Sequence, residues 1–197
     1  VGTSANTSKA GAELIVYGKD KPMMFAQIAS VLDSRNCSIH DAQIMRTQDG
    51  YLFDSFTIFE QNGDRITSES RLDSLREAVE IQLNKPGQDH INRRKISRRM
   101  KQLDVKTKVR FYPSQTNATM VELEALDAPG LLANISEQFI ALKFKLHQAK
   151  ISTIGERAED VFIVSNEAGK ALTQDQEITL KRQITLKLDQ PEANLAI

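Results

Sequence analysis

The sequence has one cysteine, three histidines and no net charge. A single thiol, Cys37, cannot close an intrachain disulfide and has no partner for a thiolate metal site. It points to a reducing, cytoplasmic setting. The Asn-x-Ser/Thr matches at Asn6, Asn36 and Asn117 are then chance. Twenty-six Lys and Arg are balanced by 26 Asp and Glu, so no global field draws the chain to nucleic acid or acidic lipid. No apolar run approaches the roughly 20 residues a membrane span needs, and no signal-peptide pattern opens the chain. There is neither a Gly-rich phosphate loop nor a nucleophile elbow. The chain begins at Val1 without a methionine, as expected for a piece excised from something longer.

What is present suits a soluble globular protein. Of 197 residues, 40% are hydrophobic and 26% charged, enough for one large domain or two of roughly 90–100 residues. An internal repeat favours two. Shifted by 107, Asp20-Lys21-Pro22 falls on Asp127-Ala128-Pro129, and Ala26 and Ile28 fall on Ala133 and Ile135. His40, Ala42 and Ile44 then meet His147, Ala149 and Ile151. After a one-residue slip, Asp54 meets Asp160 and Gly63 meets Gly169. Such self-similarity makes the chain a tandem.

Both copies carry the same element signals. Glu13–Tyr17 and Met120–Ala125 are apolar-rich runs expected as strands. Pro22 and Pro129 suit the first position of a helix, where a missing N–H costs nothing. Met24, Phe25, Ile28, Val31 and Leu32 then recur at helical spacing, as do Leu131, Leu132, Ile135 and Phe139. Strands are expected at Ser38–Arg46 and Lys145–Thr153, then at Tyr51–Phe59 and Asp160–Val164. Second helices are expected at Ser68–Leu83 and Thr173–Leu188. The order β-α-β-β-α, wanting one strand, is that of the α+β ferredoxin-like sandwich. Val105–Tyr112 supplies the missing edge of copy two through a Pro113–Thr119 turn. Gly2–Ala10 reads as the same turn with its strand cut off, so copy one should lack that edge or recruit one. The expected divisions are 10–84, a basic linker at 85–104, and 105–190.

Strict alternation along a strand puts His40, Ala42 and Ile44 on one face and Ile39, Asp41 and Gln43 on the other. His147 repeats the pattern. A histidine beside two apolar residues fits a partly buried, hydrogen-bonded position, and equally a ligand contact or a pH-sensitive one. His40-Asp41 is the dipeptide of metal-dependent phosphohydrolases, but His90 falls in the linker and Gln148 follows His147, so no ligand set converges. No catalytic constellation and no metal site emerge. Arg93–Lys101 packs six basic residues into nine and reads as a solvated linker or, alternatively, as a nucleic-acid contact. Gly50-Tyr51-Leu52-Phe53 lends the latter some support, because RNA-recognition modules stack bases on such a strand. Glu156-Arg157-Ala158-Glu159-Asp160 in copy two works against it.

The remaining constellation is the loop before the first helix, "GKDKPM" and "ALDAPG". First-turn N–H groups lack intrahelical partners and suit a carboxylate. Asp20 or Asp127 can cap the helix, or accept a bond from an ammonium group. Donors for a carboxylate beside an acceptor for an amine suit a free α-amino acid.

Asp-x-Pro-Gly entering a helix, followed by a strand with Ile-x-x-Ala-x-Ile, resembles the ACT domain, a regulatory module that binds amino acids. "RNCSIHDAQIM", "DGYLFDSFTIF", "VELEALDAPGLLANI" and "TIGERAEDVFIV" resemble the C-terminal tandem ACT region of bacterial bifunctional uridylyltransferase/uridylyl-removing enzymes, which act on PII nitrogen-regulatory proteins. The resemblance covers about Ala10 to Leu188. It implies two ACT units sensing glutamine for catalytic nucleotidyltransferase and HD-hydrolase domains upstream, with PII as the parent enzyme's partner. It also implies Mg and UTP at those catalytic domains, and no cofactor within this stretch. The ligand's carboxylate is expected at the N–H groups of Gly130 and Leu131, its ammonium near Asp127, and its amide within reach of Lys145 and His147. Asp20, Met23, Ser38 and His40 correspond in copy one. There Met23 replaces the family's usual glycine, making copy one the weaker binder. A tandem RNA-binding module and a purely structural interaction module are the alternatives.

Overall fold

A computed structural model describes residues 1–5, 11–21, 23–47, 49–85, 103 and 105–189. The chain forms two compact units, Val1–Arg94 and Lys95–Ile197. The basic run at 93–101, His90 and Pro22 lie outside the described residues.

Unit one runs β1 (Gly2–Ser4), β2 (Ala12–Lys19), α1 (Met24–Ser34), β3 (Cys37–Arg46), β4 (Tyr51–Glu60) and α2 (Glu69–Asn84). Its strands lie in the order β1-β2-β4-β3, all antiparallel. Unit two runs β5 (Lys108–Pro113), β6 (Thr119–Leu126), α3 (Leu131–Ala141), β7 (Lys145–Lys150), β8 (Thr153–Ile154), β9 (Arg157–Ser165) and α4 (Gln174–Asp189). Here the order is β5-β6-β9-β7, again antiparallel, with β8 added to the start of β9. Each unit is the expected ferredoxin-like sandwich, its outer strand taken from before the βαββα core.

The edge expectation holds for unit two. Residues Lys108–Pro113 pair with Glu124–Thr119, and Lys108 and Arg110 clamp Glu124 at 2.8 and 2.7 Å. Copy one departs from it. It keeps a three-residue edge, with Gly2 opposite Ile15 and Ser4 opposite Glu13. The sequence hid this strand because Gly2, Thr3 and Ser4 have the composition of a turn; backbone pairing with β2 and the ion pair of the Val1 ammonium with Glu80 of α2, at 3.4 Å, hold it there.

One helix-facing side of each sheet carries the core. In unit one Leu14, Val16, Phe56 and Ile58 lie beneath Ile28 and Leu32 of α1 and Leu75 and Val79 of α2, all at most 2% exposed. In unit two Leu123, Phe162 and Val164 pack with Ile135, Phe139, Leu180 and Ile184, and Phe139 meets Phe162 edge-on at 5.5 Å. Each such side chain contributes about 1.5–3 kcal/mol on burial. Arg71 of α2 adds a polar tie, gripping both oxygens of Glu60 at 2.9 and 2.8 Å and the Arg35 carbonyl at 2.6 Å. Its guanidinium also lies 3.3 Å from buried Cys37. Burial nevertheless pushes that thiol up to about 11, the Arg71 charge opposing, so Cys37 is inert as a nucleophile. Among the described residues no helix is long and apolar enough to cross a membrane.

One expected strand is divided. Lys145–Thr153 reads as continuous, yet β7 stops at Lys150 and Thr153–Ile154 turns back on Arg157 and Ala158. The turn is the two-residue loop Gly155-Glu156, with Gly155 at φ 65.

Candidate functional site

The loop between β6 and α3 is a tight turn. The Leu131 N–H donates to the Ala128 carbonyl at 3.0 Å, and Gly130 sits between them at φ 79, ψ 9. Pro129 followed by a left-handed glycine is the signature of a type II turn. Two expectations change here. Pro129 precedes the helix's N-cap, Gly130, instead of opening the helix. Asp127 does not cap α3, which has no side-chain cap. Leu131's N–H, expected on a ligand carboxylate, is engaged by the turn itself. The Gly130 N–H stands outside that bond.

Asp127 is exposed, and its own N–H is fixed to the Glu156 carbonyl at 3.0 Å. Beneath the loop lies Asp160 of β9, only 1% exposed and on the helix-facing side between Ala158 and Phe162. One of its oxygens, Oδ1, accepts the Ser152 N–H at 3.3 Å. The other, Oδ2, is buried without a hydrogen-bond partner. Burial pushes this carboxyl up to about 7; the Ser152 N–H pulls it down, and the negative charge of Asp127 pushes it up. Asp160 therefore belongs to the loop's surroundings and was absent from the expected site. Asp54, its counterpart in the repeat, is equally buried. An acidic residue at one core-facing position of both copies was the available signal.

The histidines are elsewhere. Opposite β4, Ile39 pairs with Ile58 and Asp41 with Thr57, leaving His40 as the extra residue of a β-bulge. Opposite β9, Leu146 pairs with Val164 and Gln148 with Ile163, and His147 is extra in the same way. The bulge reverses the expected facing. Ile39 and Ala42 are both buried while His40 is exposed, and Leu146 and Ala149 are buried while His147 is exposed. His40 lies against Phe59, ring centroids 4.3 Å apart, and partial burial lowers its pKa. His147 Nε2 shares a hydrogen bond with the Ser165 hydroxyl at 2.7 Å.

Neither histidine meets its own unit's loop. Along β9 the loop lies by Arg157 and His147 by Ile163, six residues away, or roughly 20 Å. Lys145, opposite Ser165, is farther still. Ser38, which donates to the Glu60 carbonyl at 3.3 Å, and His40 are equally remote from Asp20. The cause is the helix between: α1 and α3 carry the chain from one end of the sheet to the other before β3 and β7 begin.

Unit one repeats the loop with a strained residue. The Met24 N–H meets the Lys21 carbonyl at 3.4 Å, and the Asp20 N–H meets the Gly50 carbonyl at 2.9 Å. Met23 occupies the glycine position at φ 68, ψ 2. A left-handed conformation costs an L-residue about 1–2 kcal/mol, and glycine's extra chain entropy offsets part of this. Met23→Gly should raise unit one's unfolding free energy by about 0.5–1 kcal/mol, read as a shift in its urea midpoint with an unchanged m-value. A fall would mean that Met23 packing outweighs the strain.

No protein-family model matches the chain. The chain is 41% identical over 179 residues to the bifunctional uridylyltransferase/uridylyl-removing enzyme of Aliivibrio fischeri strain MJ11, covering 90% of this chain and 20% of that one. The enzyme so named in Photobacterium profundum is 44% identical over 186 residues, 94% of this chain and 21% of its own. That of Vibrio cholerae is 39% identical over 182 residues, 92% and 21%. The chain is a homologue of one segment of these enzymes. It spans about a fifth of their length. A solved structure described provisionally as a glycine cleavage system transcriptional repressor aligns over 90% of this chain and 91% of its own at 18% identity. Its TM-score is 0.31, too low to bear on the fold. Among the described residues no group of three or more His, Cys, Asp or Glu could hold a metal ion.

Proposed function

We propose that the chain is the amino-acid-sensing region of a bifunctional uridylyltransferase/uridylyl-removing enzyme, with L-glutamine as its ligand. Bound glutamine would bias catalytic domains elsewhere in the enzyme between adding and removing uridylyl groups on PII, and so report nitrogen status. The observation that carries this reading is the β6–α3 turn. An exposed carboxylate, Asp127, stands beside a helix N-terminus opened by Gly130. The carboxylate can accept an ammonium, and the helix end favours a carboxylate through its N–H groups and dipole. Gly130 adds no side chain to the approach, although it and Leu131 are themselves buried behind the exposed Asp127. Lys145 and His147 play no part in this version of the site, because the register puts them at the other end of the sheet.

Sensing requires that glutamine bind one state of the whole enzyme better than another. The present chain can report only the binding step. Isothermal titration calorimetry with L-glutamine, D-glutamine and L-glutamate should give saturable heat for the first alone. Titration with single-stranded RNA at two salt concentrations separates the nucleic-acid reading, which predicts binding that weakens steeply with salt. Unit one's exposed Tyr17 and Phe53 suit base stacking, but Glu124 and Glu159 stand at their repeat positions in unit two and offer no ring to stack on. Heat with RNA and none with any amino acid would reverse the assignment.

A further inference from the structure

We propose that the cleft between α1 and α2 of unit one is a second ligand site, one that takes a short dicarboxylate. It shares no residue with the β6–α3 turn and does not depend on what binds there.

The cleft measures about 150 Å³. A space of that volume takes a molecule of roughly benzene's bulk. Gln27, Ser30 and Ser34 of α1 line one side, and Ala78 and Gln82 of α2 the other. Gln27 and Ser30 are 8% and 4% exposed, so the polar lining reaches deep between the helices. The two helices run antiparallel. Lys21, just before α1, donates to the carbonyl of Leu83 near the end of α2 at 3.1 Å. Arg35, just after α1, donates to the Ser74 hydroxyl in the first half of α2 at 3.5 Å. Lys85 therefore stands at the Gln27 end of the cleft and Arg35 at the Ala78 end. Gln27 and Arg35 are about 12 Å apart along the helix, and both long cationic side chains can swing inward.

Neither cation is neutralised. Among the described residues, Arg35 and Lys85 have no ion-pair partner. Both occupy C-cap positions, where a positive charge is favoured by the last carbonyls of a helix. That accounts for the cations but not for the hollow between them. No carboxylate lines the cleft, so nothing there would take an ammonium, and an α-amino acid is a poor fit. An anion at each end is a good one. Val31 and Ile81 supply apolar contact for the methylenes between, and the serine and glutamine groups can bond to the carboxylates.

Unit two has the same helix pair and fills the same space. By the shift of 107, Ser30 meets Glu137, and the C-cap Arg35 meets the C-cap Leu142. For the second helices the shift is 105, set by Ser68 and Thr173, whose hydroxyls each accept an N–H three residues on. Ala78 then meets Gln183, and Gln82 meets Lys187. Glu137 and Lys187 bridge the two helices at 3.6 Å, and Gln183 buries its amide oxygen. An ion pair and a long side chain thus stand where unit one has serine, glutamine and alanine. The fold does not require the hollow or the Arg35 charge; unit one has both.

The test is isothermal titration calorimetry of the full chain with glutarate, butyrate and inorganic phosphate at low ionic strength. Glutarate should give saturable heat that weakens with added sodium chloride. Butyrate, with one carboxylate, should bind about 5- to 10-fold more weakly. Arg35→Gln and Lys85→Gln, both at exposed positions, should each weaken glutarate by a similar factor of about 5–10. Ser30→Glu combined with Gln82→Lys copies unit two's ion pair into the cleft and should abolish binding. Urea unfolding shows whether each variant is folded; if the combined variant is not, the two single variants decide. No heat with glutarate overturns the proposal, as does parent affinity in both Arg35→Gln and Lys85→Gln. Phosphate or butyrate binding as tightly as glutarate overturns the dicarboxylate assignment.

Discussion

Asp160→Asn should stabilise unit two by about 4 kcal/mol at pH 8 and by well under about 1 kcal/mol at pH 4. The side chain titrates with its pKa raised from an ordinary 3.8 to about 7 in the folded protein. Below pH 3.8 the carboxyl is protonated both folded and unfolded, and burying it carries no ionisation penalty. Between 3.8 and 7 the unfolded chain has lost the proton and the folded one keeps it, so stability falls by about 1.4 kcal/mol for each pH unit. Above 7 both forms are ionised and the penalty stays at its maximum. An amide never ionises, so the gain from the substitution follows that curve. Urea unfolding of parent and variant at both pH values, compared through unit two's transition, provides the measurement. A gain of the same size at pH 4 and pH 8 would show that the effect comes from packing and not from the charge.

Asp127→Ala should weaken glutamine binding by about 10- to 150-fold, the equivalent of the roughly 1.5–3 kcal/mol of a hydrogen bond to a charged group. The substitution is a clean probe because Asp127 does not cap α3 and its backbone bond to Glu156 survives the loss of the side chain. Folding stability should hold or rise slightly as the repulsion on Asp160 disappears. Asp20→Ala in unit one should cost less affinity, since Met23 occupies the position where unit two has Gly130. Retention of parent affinity in folded Asp127→Ala would take the loop out of the site.

The repeat, the βαββα order and the paired edge of unit two were all legible in the sequence. They rest on periodicity and self-similarity, which backbone geometry translates directly. The histidines were misjudged because alternation was assumed to run unbroken. The break was visible. Ile39 and Ala42, like Leu146 and Ala149, are apolar residues three apart in a strand, and an extra residue must stand between them for both to face inward. Placing Lys145 and His147 by the loop failed for another reason. Adjacent phrases in a sequence say little about which end of a sheet they occupy, and the length of α3 decides that. Asp160 escaped notice because a buried charge departs from the apolar pattern on which strand reading depends. The left-handed turn at Met23 was concealed by a residue type that rarely adopts it.

The inert thiol has a practical consequence for spectroscopy. With a pKa of about 11, Cys37 holds only about one part in ten thousand as thiolate at pH 7. Side-chain packing hinders the approach of a maleimide as well. A second cysteine, introduced by Ala128→Cys beside the candidate loop, would then be the chain's one labelling handle without any removal of the native thiol. An environment-sensitive dye attached there would sit where the proposed ligand arrives, and its emission could follow binding in real time.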